Sequence, residues 1–202
     1  MDPRHTVYIV DDDEQMCKSL RWLIEPLGLN VRTFQSPRDF LQGFDPHVPA
    51  CLVLDVRMPG MSGLDLQDEL VAAAIAIPII FITAHADVAM SVRAMKKGAV
   101  EFLEKPFNQQ VLIEKVQAAI EADAAARLRR AEIEVVAARV AMLSEREREV
   151  MSLIVNGASN KAIAGDLGIT VRTVEAHRAK VMEKMRAESI VELLRMMTKV
   201  GL

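Results

Sequence analysis

The chain has 202 residues, of which 51% are hydrophobic and 26% charged, and a formal net charge of −3. That suits a soluble globular chain with a sizeable core, built as one large domain or two small ones. No apolar stretch approaches the ~20 residues of a membrane-spanning helix, and "MDPRHTVYIV" lacks the basic start and long apolar core of a signal peptide, so the expected setting is the cytoplasm without a membrane partner.

Charge is unevenly shared. Residues 1–140 hold 15 Lys+Arg against 20 Asp+Glu, a net of −5, whereas residues 141–202 hold 10 against 8, a net of +2. The C-terminal part therefore leans modestly toward a polyanion. Cys17 and Cys51 sit in apolar segments without metal-ligand spacing and read as core thiols.

In chain order, five short apolar runs recur: "TVYIV" (6–10), "NVRTF" (30–34), "CLVLD" (51–55), "PIIFIT" (78–83) and "VEFLEK" (100–105). Helical spacing fills the intervals, as in 14–27, where Met16, Leu20, Leu23, Ile24 and Leu27 share a face. Ser36-Pro37 pairs an N-cap with a first-position proline to open a short helix at 36–43. Alternating strands and helices predict right-handed crossovers and a parallel sheet covered on both sides. "LVL" and "IIFI" are continuously apolar, as central strands buried on both faces are.

No Pro or Gly occurs between Phe107 and Asn156. The stretch is rich in Ala, Glu, Arg and Leu, so the fifth helix is expected to run on as a stiff linker, solvated over 122–130. No sustained heptad stands out in it. Beyond lies an all-helical unit. Ser144 and Glu147 form a capping box, Gly157 and Gly168 stop successive helices, Thr170 caps "VRTVEAHRAKVMEKM", and "SIVELLRMMTKV" follows.

In such a sheet, functional groups gather at the carboxyl ends of the strands. Those ends deliver Asp11 and Asp12, then Asp55, then Thr83, then Lys105 with Pro106. Each alone is an ordinary turn residue. Together they put three carboxylates, a hydroxyl and an ammonium on one edge. Like charges that close repel, and a hard divalent cation such as Mg²⁺ relieves them while leaving coordination positions for phosphoryl oxygens. Lys105 adds a point charge and Thr83 a hydrogen bond, which makes Asp55 the candidate nucleophile for an aspartyl phosphate.

The motifs "VDDD" (10–13), "LDVRMPGMSG" (54–63), "FITA" (81–84) and "FLEKPF" (102–107) resemble the receiver domain of two-component response regulators over about residues 1–122. The resemblance implies a flavodoxin-like (βα)5 fold and phosphoryl transfer from a sensor histidine kinase onto Asp55. It further implies Mg²⁺ held by Asp12, Asp55 and the backbone carbonyl of Arg57, with Asp11 acting through water and Asp13 outside the ligand set. Thr83 and Phe102 align with the family's switch pair, and small Ala84 leaves the phosphoryl site open. His85 reads as a loop residue. One departure lies in "TAHADVAM" (83–90), where Ala86 and Ala89 stand in place of the common Gly and Pro.

"SNKAIAGDLG" followed by "ITVRTVEAHRAKVMEKM" has the short-then-long pair of a helix-turn-helix. Val171, Val174, Val181 and Met185 are expected in the core, leaving Arg172, Thr173, Glu175, Ala176, Ala179 and Lys180 toward a groove. Small residues at 176 and 179 permit close approach to base edges. Arg172, Arg178, Lys180 and Lys184, with Asn160 and Lys161 ahead of them, are candidates for phosphates of double-stranded DNA. Residues 141–202 resemble the LuxR-type DNA-binding domain of the LuxR/FixJ group. The resemblance implies that the 171–185 helix enters the major groove and that the last helix makes a dimer contact.

The expected whole is thus a receiver (1–122), a helical linker (123–140) and a helix-turn-helix domain (141–202). It is expected to act as a transcription factor whose phosphorylation promotes homodimerisation and promoter binding, with RNA polymerase as a further partner. Two rival readings are a metal-dependent phosphohydrolase, for which no substrate-binding loops are evident, and a constitutive DNA-binding protein with a vestigial receiver.

Overall fold

The computed structural model describes residues 5–85 and 87–201. The chain divides into two compact units between Arg127 and Leu128.

The N-terminal unit contains β1 (Thr6–Val10), α1 (Glu14–Ile24), β2 (Asn30–Phe34), α2 (Pro37–Gly43), β3 (Ala50–Asp55), α3 (Gly63–Ala72), β4 (Ile79–Thr83), α4 (Val88–Lys96) and β5 (Glu101–Glu104), and α5 (Gln109–Ala141) begins within it. The strands form one parallel sheet in the order β2-β1-β3-β4-β5. Strand alternation splits the core. Val7, Ile9, Cys51, Val53, Ile80 and Ile82 pack with α1 and α5 on one face. Tyr8, Val10, Leu52, Leu54 and Phe81 pack with α2, α3 and α4 on the other. Burial of both faces is why these strands are apolar without a break.

Local chemistry sets the element ends. Asp13 caps α1 by accepting from the Gln15 and Met16 N–H groups, Ser36 caps α2, and Ser62 with Asp65 forms a full capping box on α3. The helical face expected over 14–27 is α-helical only to Ile24. Pro26 lacks an N–H, and Glu25–Leu27 tightens into a 3₁₀ turn. Ala86 lies outside the described residues. Ala89 sits in the first turn of α4, where Asp87 caps the helix through the Met90 N–H at 2.7 Å, so the start of α4 needs no proline.

The stretch 122–130 is mostly exposed, with one correction. Asp123 is 3% exposed, because its carboxylate accepts the Ala50 N–H at 2.9 Å and an Arg127 N–H at 2.6 Å. A buried carboxylate is tolerable only with such donors.

The C-terminal unit comprises the rest of α5, then α6 (Glu145–Val155), α7 (Asn160–Leu167), α8 (Val171–Met185) and α9 (Ile190–Lys199). Its core gathers Val136, Leu143, Val150, Ile154, Ile163, Val174, Val181, Met185, Leu193 and Met197. Val171 departs from expectation, being 41% exposed. At 100° per residue it lies about 60° off the line through Val174, Val181 and Met185, in the first turn after the Thr170 cap, where the core has ended.

Candidate functional site

The strand order brings the C-terminal ends of β1, β3 and β5 to one edge. There Lys105 bridges two carboxylates, its Nζ donating to Asp11 Oδ2 and to Asp55 Oδ1, both at 2.8 Å. Asp11 is 1% exposed and Asp55 6%. Each carboxylate takes one further donor: the Asp13 N–H to Asp11 Oδ1 at 2.9 Å, and the Arg57 N–H to Asp55 Oδ2 at 2.6 Å. Burial raises the Asp11 pKa despite the opposing pull of Lys105. Burial also acts against the Lys105 ammonium, but its hydrogen bonds to Asp11 and Asp55 prevail and raise its pKa. The ammonium therefore stays charged.

Thr83 is buried one residue beyond Ile82, the cross-strand partner of Asp55, and its hydroxyl accepts the His85 N–H at 3.3 Å. Ala84 and His85 are exposed. Phe102 is half-buried with its ring 5.9 Å from that of Phe81. Asp12 and Arg57 are exposed at the same edge, while Asp13 is used as a cap.

Among the described residues no three Asp, Glu, His or Cys side chains close on a single point as a metal cage would. This refines the expectation of three converging carboxylates: Asp11 and Asp55 meet through Lys105, and Asp12 stands in solvent beside them. The oxygen donors nevertheless fit Mg²⁺, which takes one or two carboxylates and keeps several waters.

A residue missed from the sequence supports the strand that carries Asp55. Gly63, at the start of α3, donates its N–H to the Val56 carbonyl at 2.9 Å. A Cβ there would lie 2.2 Å from the Asp55 carbonyl oxygen. In the sequence it reads only as a small residue after an N-cap, because how closely α3 returns to the end of β3 is decided by packing and not by local propensity.

In the C-terminal unit Gly168 turns the chain in the left-handed region between α7 and α8. Arg172, Glu175, Ala176, Ala179 and Lys180 of α8 are exposed, as is Lys161 of α7; Asn160, Thr173 and Arg178 are half-buried. The Thr173 hydroxyl is bonded to that of Thr170 at 2.8 Å. Lys184 differs from the others. Its ammonium is held by buried Glu147 at 2.6 Å and by the Met142 carbonyl at 3.3 Å, so it serves the unit's own packing. His177 was not singled out by spacing, yet its Nδ1 is buried without a hydrogen-bond partner.

A parallel α/β unit with an ammonium bridging two buried carboxylates, joined to a unit carrying a helix-turn-helix, is the plan of a signal-responsive DNA-binding regulator. The response regulator receiver domain matches over residues 7–117, and the domain of bacterial regulatory proteins of the luxR family over residues 141–197. The chain belongs to the two-component response regulators that carry a luxR-type DNA-binding domain. Nodulation protein W of Bradyrhizobium diazoefficiens is 47% identical over 196 residues, covering 97% of this chain and 86% of that protein. The transcriptional regulatory protein FixJ of Rhizobium meliloti is 49% identical over 193 residues, covering 95% and 94%. Among solved structures, the response regulator StyR is 42% identical with a TM-score of 0.89, covering 97% of this chain and 99% of that one. Membership implies a histidine kinase partner and DNA binding, hence transcription regulation. No helix among the described residues is long and apolar enough to cross a membrane.

Proposed function

We propose that this protein is a cytoplasmic transcription factor switched on by phosphorylation of Asp55. The observation that carries this reading is the bridge from Lys105 to buried Asp11 and Asp55. It leaves one carboxylate at a strand end oriented by a cation and a backbone N–H. In the transfer an Asp55 oxygen forms a bond to phosphorus as the P–N bond of the kinase's phosphohistidine breaks, and the imidazole departs. Lys105 holds a phosphoryl oxygen and the Thr83 hydroxyl donates to another, while the small side chain of Ala84 leaves them room. Asp12, Asp55 and the Arg57 carbonyl, with Asp11 through water, would hold Mg²⁺, which would supply charge neutralisation for the transferred group. An apolar groove of about 460 Å³, lined by Met16, Leu20, Leu23, Pro106 and Phe107, opens beside Lys105 and offers a surface to receive a kinase.

Thr83 and Phe102 relay the new charge to the face of α4, β5 and α5, where Val88, Val92 and Met95 are exposed. That face pairs two receivers. Pairing raises the DNA affinity of two helix-turn-helix domains whose half-sites lie about one helical turn apart. α8 enters the major groove, with Arg172, Arg178 and Lys180 on phosphates, as are Asn160 and Lys161, and Thr173, Glu175, Ala176 and Ala179 toward bases. Bound there, the dimer engages RNA polymerase. In functional terms the receiver is 1–122, the linker 123–140 and the DNA-binding domain 141–202.

The test is Asp55→Ala. Molar mass and operator affinity of the wild type should both rise with beryllofluoride and Mg²⁺, and neither should change in the variant. An unchanged response in Asp55→Ala overturns the mechanism.

A further inference from the structure

The C-terminal part of α5 carries two apolar stripes. Val136 and Val140, with Leu143 beyond the helix end, pack into the core of the C-terminal unit. The second stripe faces out. Leu128 and Val135, with Met142 one residue past the helix end, recur every seven residues and are 65%, 51% and 59% exposed. Ala131 and Ala138 fall between them and are exposed too. The steps are three, four, three, four, the spacing of the core positions of a two-helix coil. Beside the stripe runs a groove of about 350 Å³ lined by Ala131, Val135, Val136 and Met196 and rimmed by the Glu132–Lys199 ion pair.

Charge says what the stripe fits. In a parallel, in-register pair, the residue just before one core position faces the residue five places later on the other helix. Here that sets exposed Glu134 against Arg139 of a second copy, and twofold symmetry makes the attraction twice. Among the described residues Arg139 spends only Nη1 on the Met185 carbonyl, at 3.0 Å, leaving the rest of its guanidinium for this role. We propose that the stripe is the seat of a second copy of this chain, residues 128–142 of two copies closing as a short parallel coil.

The inference rests on the phosphorylation-driven dimerisation proposed above and adds a contact to it. Two heptads with alanine at two of the five core positions are too few to associate alone. Paired receivers raise the local concentration of the two stripes enough to close them. The linkers thus zip only in the activated dimer.

The experiment uses the full-length chain with Val135→Cys or Ala137→Cys, the latter on the outer side of such a coil. Cys17 and Cys51 are buried, so they stay silent. Each variant is oxidised with copper phenanthroline, with and without beryllofluoride and Mg²⁺, and molar mass is measured on the same samples. With beryllofluoride, cross-linking through residue 135 should exceed that through residue 137 by about tenfold or more. Adding Glu134→Arg should suppress it, and adding Glu134→Arg with Arg139→Glu should restore it. Dimers by mass with equal cross-linking at 135 and 137 overturn the coil and leave receiver pairing intact. Cross-linking indifferent to Glu134→Arg overturns the parallel register. No dimer by mass overturns the activation reading and the coil with it.

Discussion

Lys105 and Lys184 show how much the surroundings of an ammonium decide its use. Lys105 is shared by two buried carboxylates at a strand edge open to solvent, so a group arriving at Asp55 meets its charge. Lys184 closes on the capping-box carboxylate of Glu147 and is used up inside its own unit. That ammonium, followed by the Ser144 N–H, holds the Glu147 carboxyl down at about 2, against an ordinary value of 4.5. A carboxyl whose folded pKa is depressed contributes stability that is complete above 4.5 and lost as pH falls through about 2. The thermal midpoint of the C-terminal unit should therefore fall more steeply from pH 4.5 to 2 in the wild type than in Glu147→Gln. Calorimetry of the two proteins across that range checks it; matching slopes would show that the pair contributes nothing.

Among the elements, α3 comes close against the end of β3 at Gly63. Gly63 lies so near the Asp55 carbonyl that any side chain must push α3 off the end of the strand. Gly63→Ala is expected to destabilise by about 1–3 kcal/mol, as overpacking does, and to slow phosphoryl uptake from a small-molecule donor. Gly165 within α7 is the counterpart, since an added Cβ there meets nothing within 4 Å. Gly165→Ala should stabilise by about 0.5–1 kcal/mol through helix propensity alone. Urea unfolding of both variants reads the opposite signs, and a loss at both positions would mean that propensity and space are not what distinguishes them.

At the scale of the whole molecule, the C-terminal 62 residues carry a net of only +2, so one copy has little hold on a phosphate backbone. Two copies double the phosphate contacts, and the salt dependence of binding counts them. The slope of log affinity against log salt is expected to be about twice as steep for the activated protein as for the resting one. Arg172→Ala should flatten the activated slope by about two units, one for each copy, and weaken all DNA sequences alike. Filter or fluorescence titrations over a salt series measure this, and a sequence-dependent loss in Arg172→Ala would move that side chain from phosphate to base.

Most of the architecture was legible in the sequence because it follows from local rules. Strand runs and helical spacing located the elements, and side-chain caps at Ser36, Ser144 and Thr170 set helix starts where they were expected. The edge at Asp55 was legible for a related reason: a parallel sheet sends every strand's C-terminus the same way, which brings Asp11, Asp55 and Lys105 within hydrogen-bond reach. What depends on distant segments was invisible. Asp123 is buried on the Ala50 N–H and Lys184 is taken by Glu147, each through a neighbour tens of residues away; Val171 lies outside a core that ends short of it, and Gly63 meets Asp55 only because α3 packs back onto the end of β3. The linker shows the limit most plainly. Its two apolar stripes are superposed in the sequence and mask each other's period, and only folding, which buries Val136 and leaves Val135 in water, separates them.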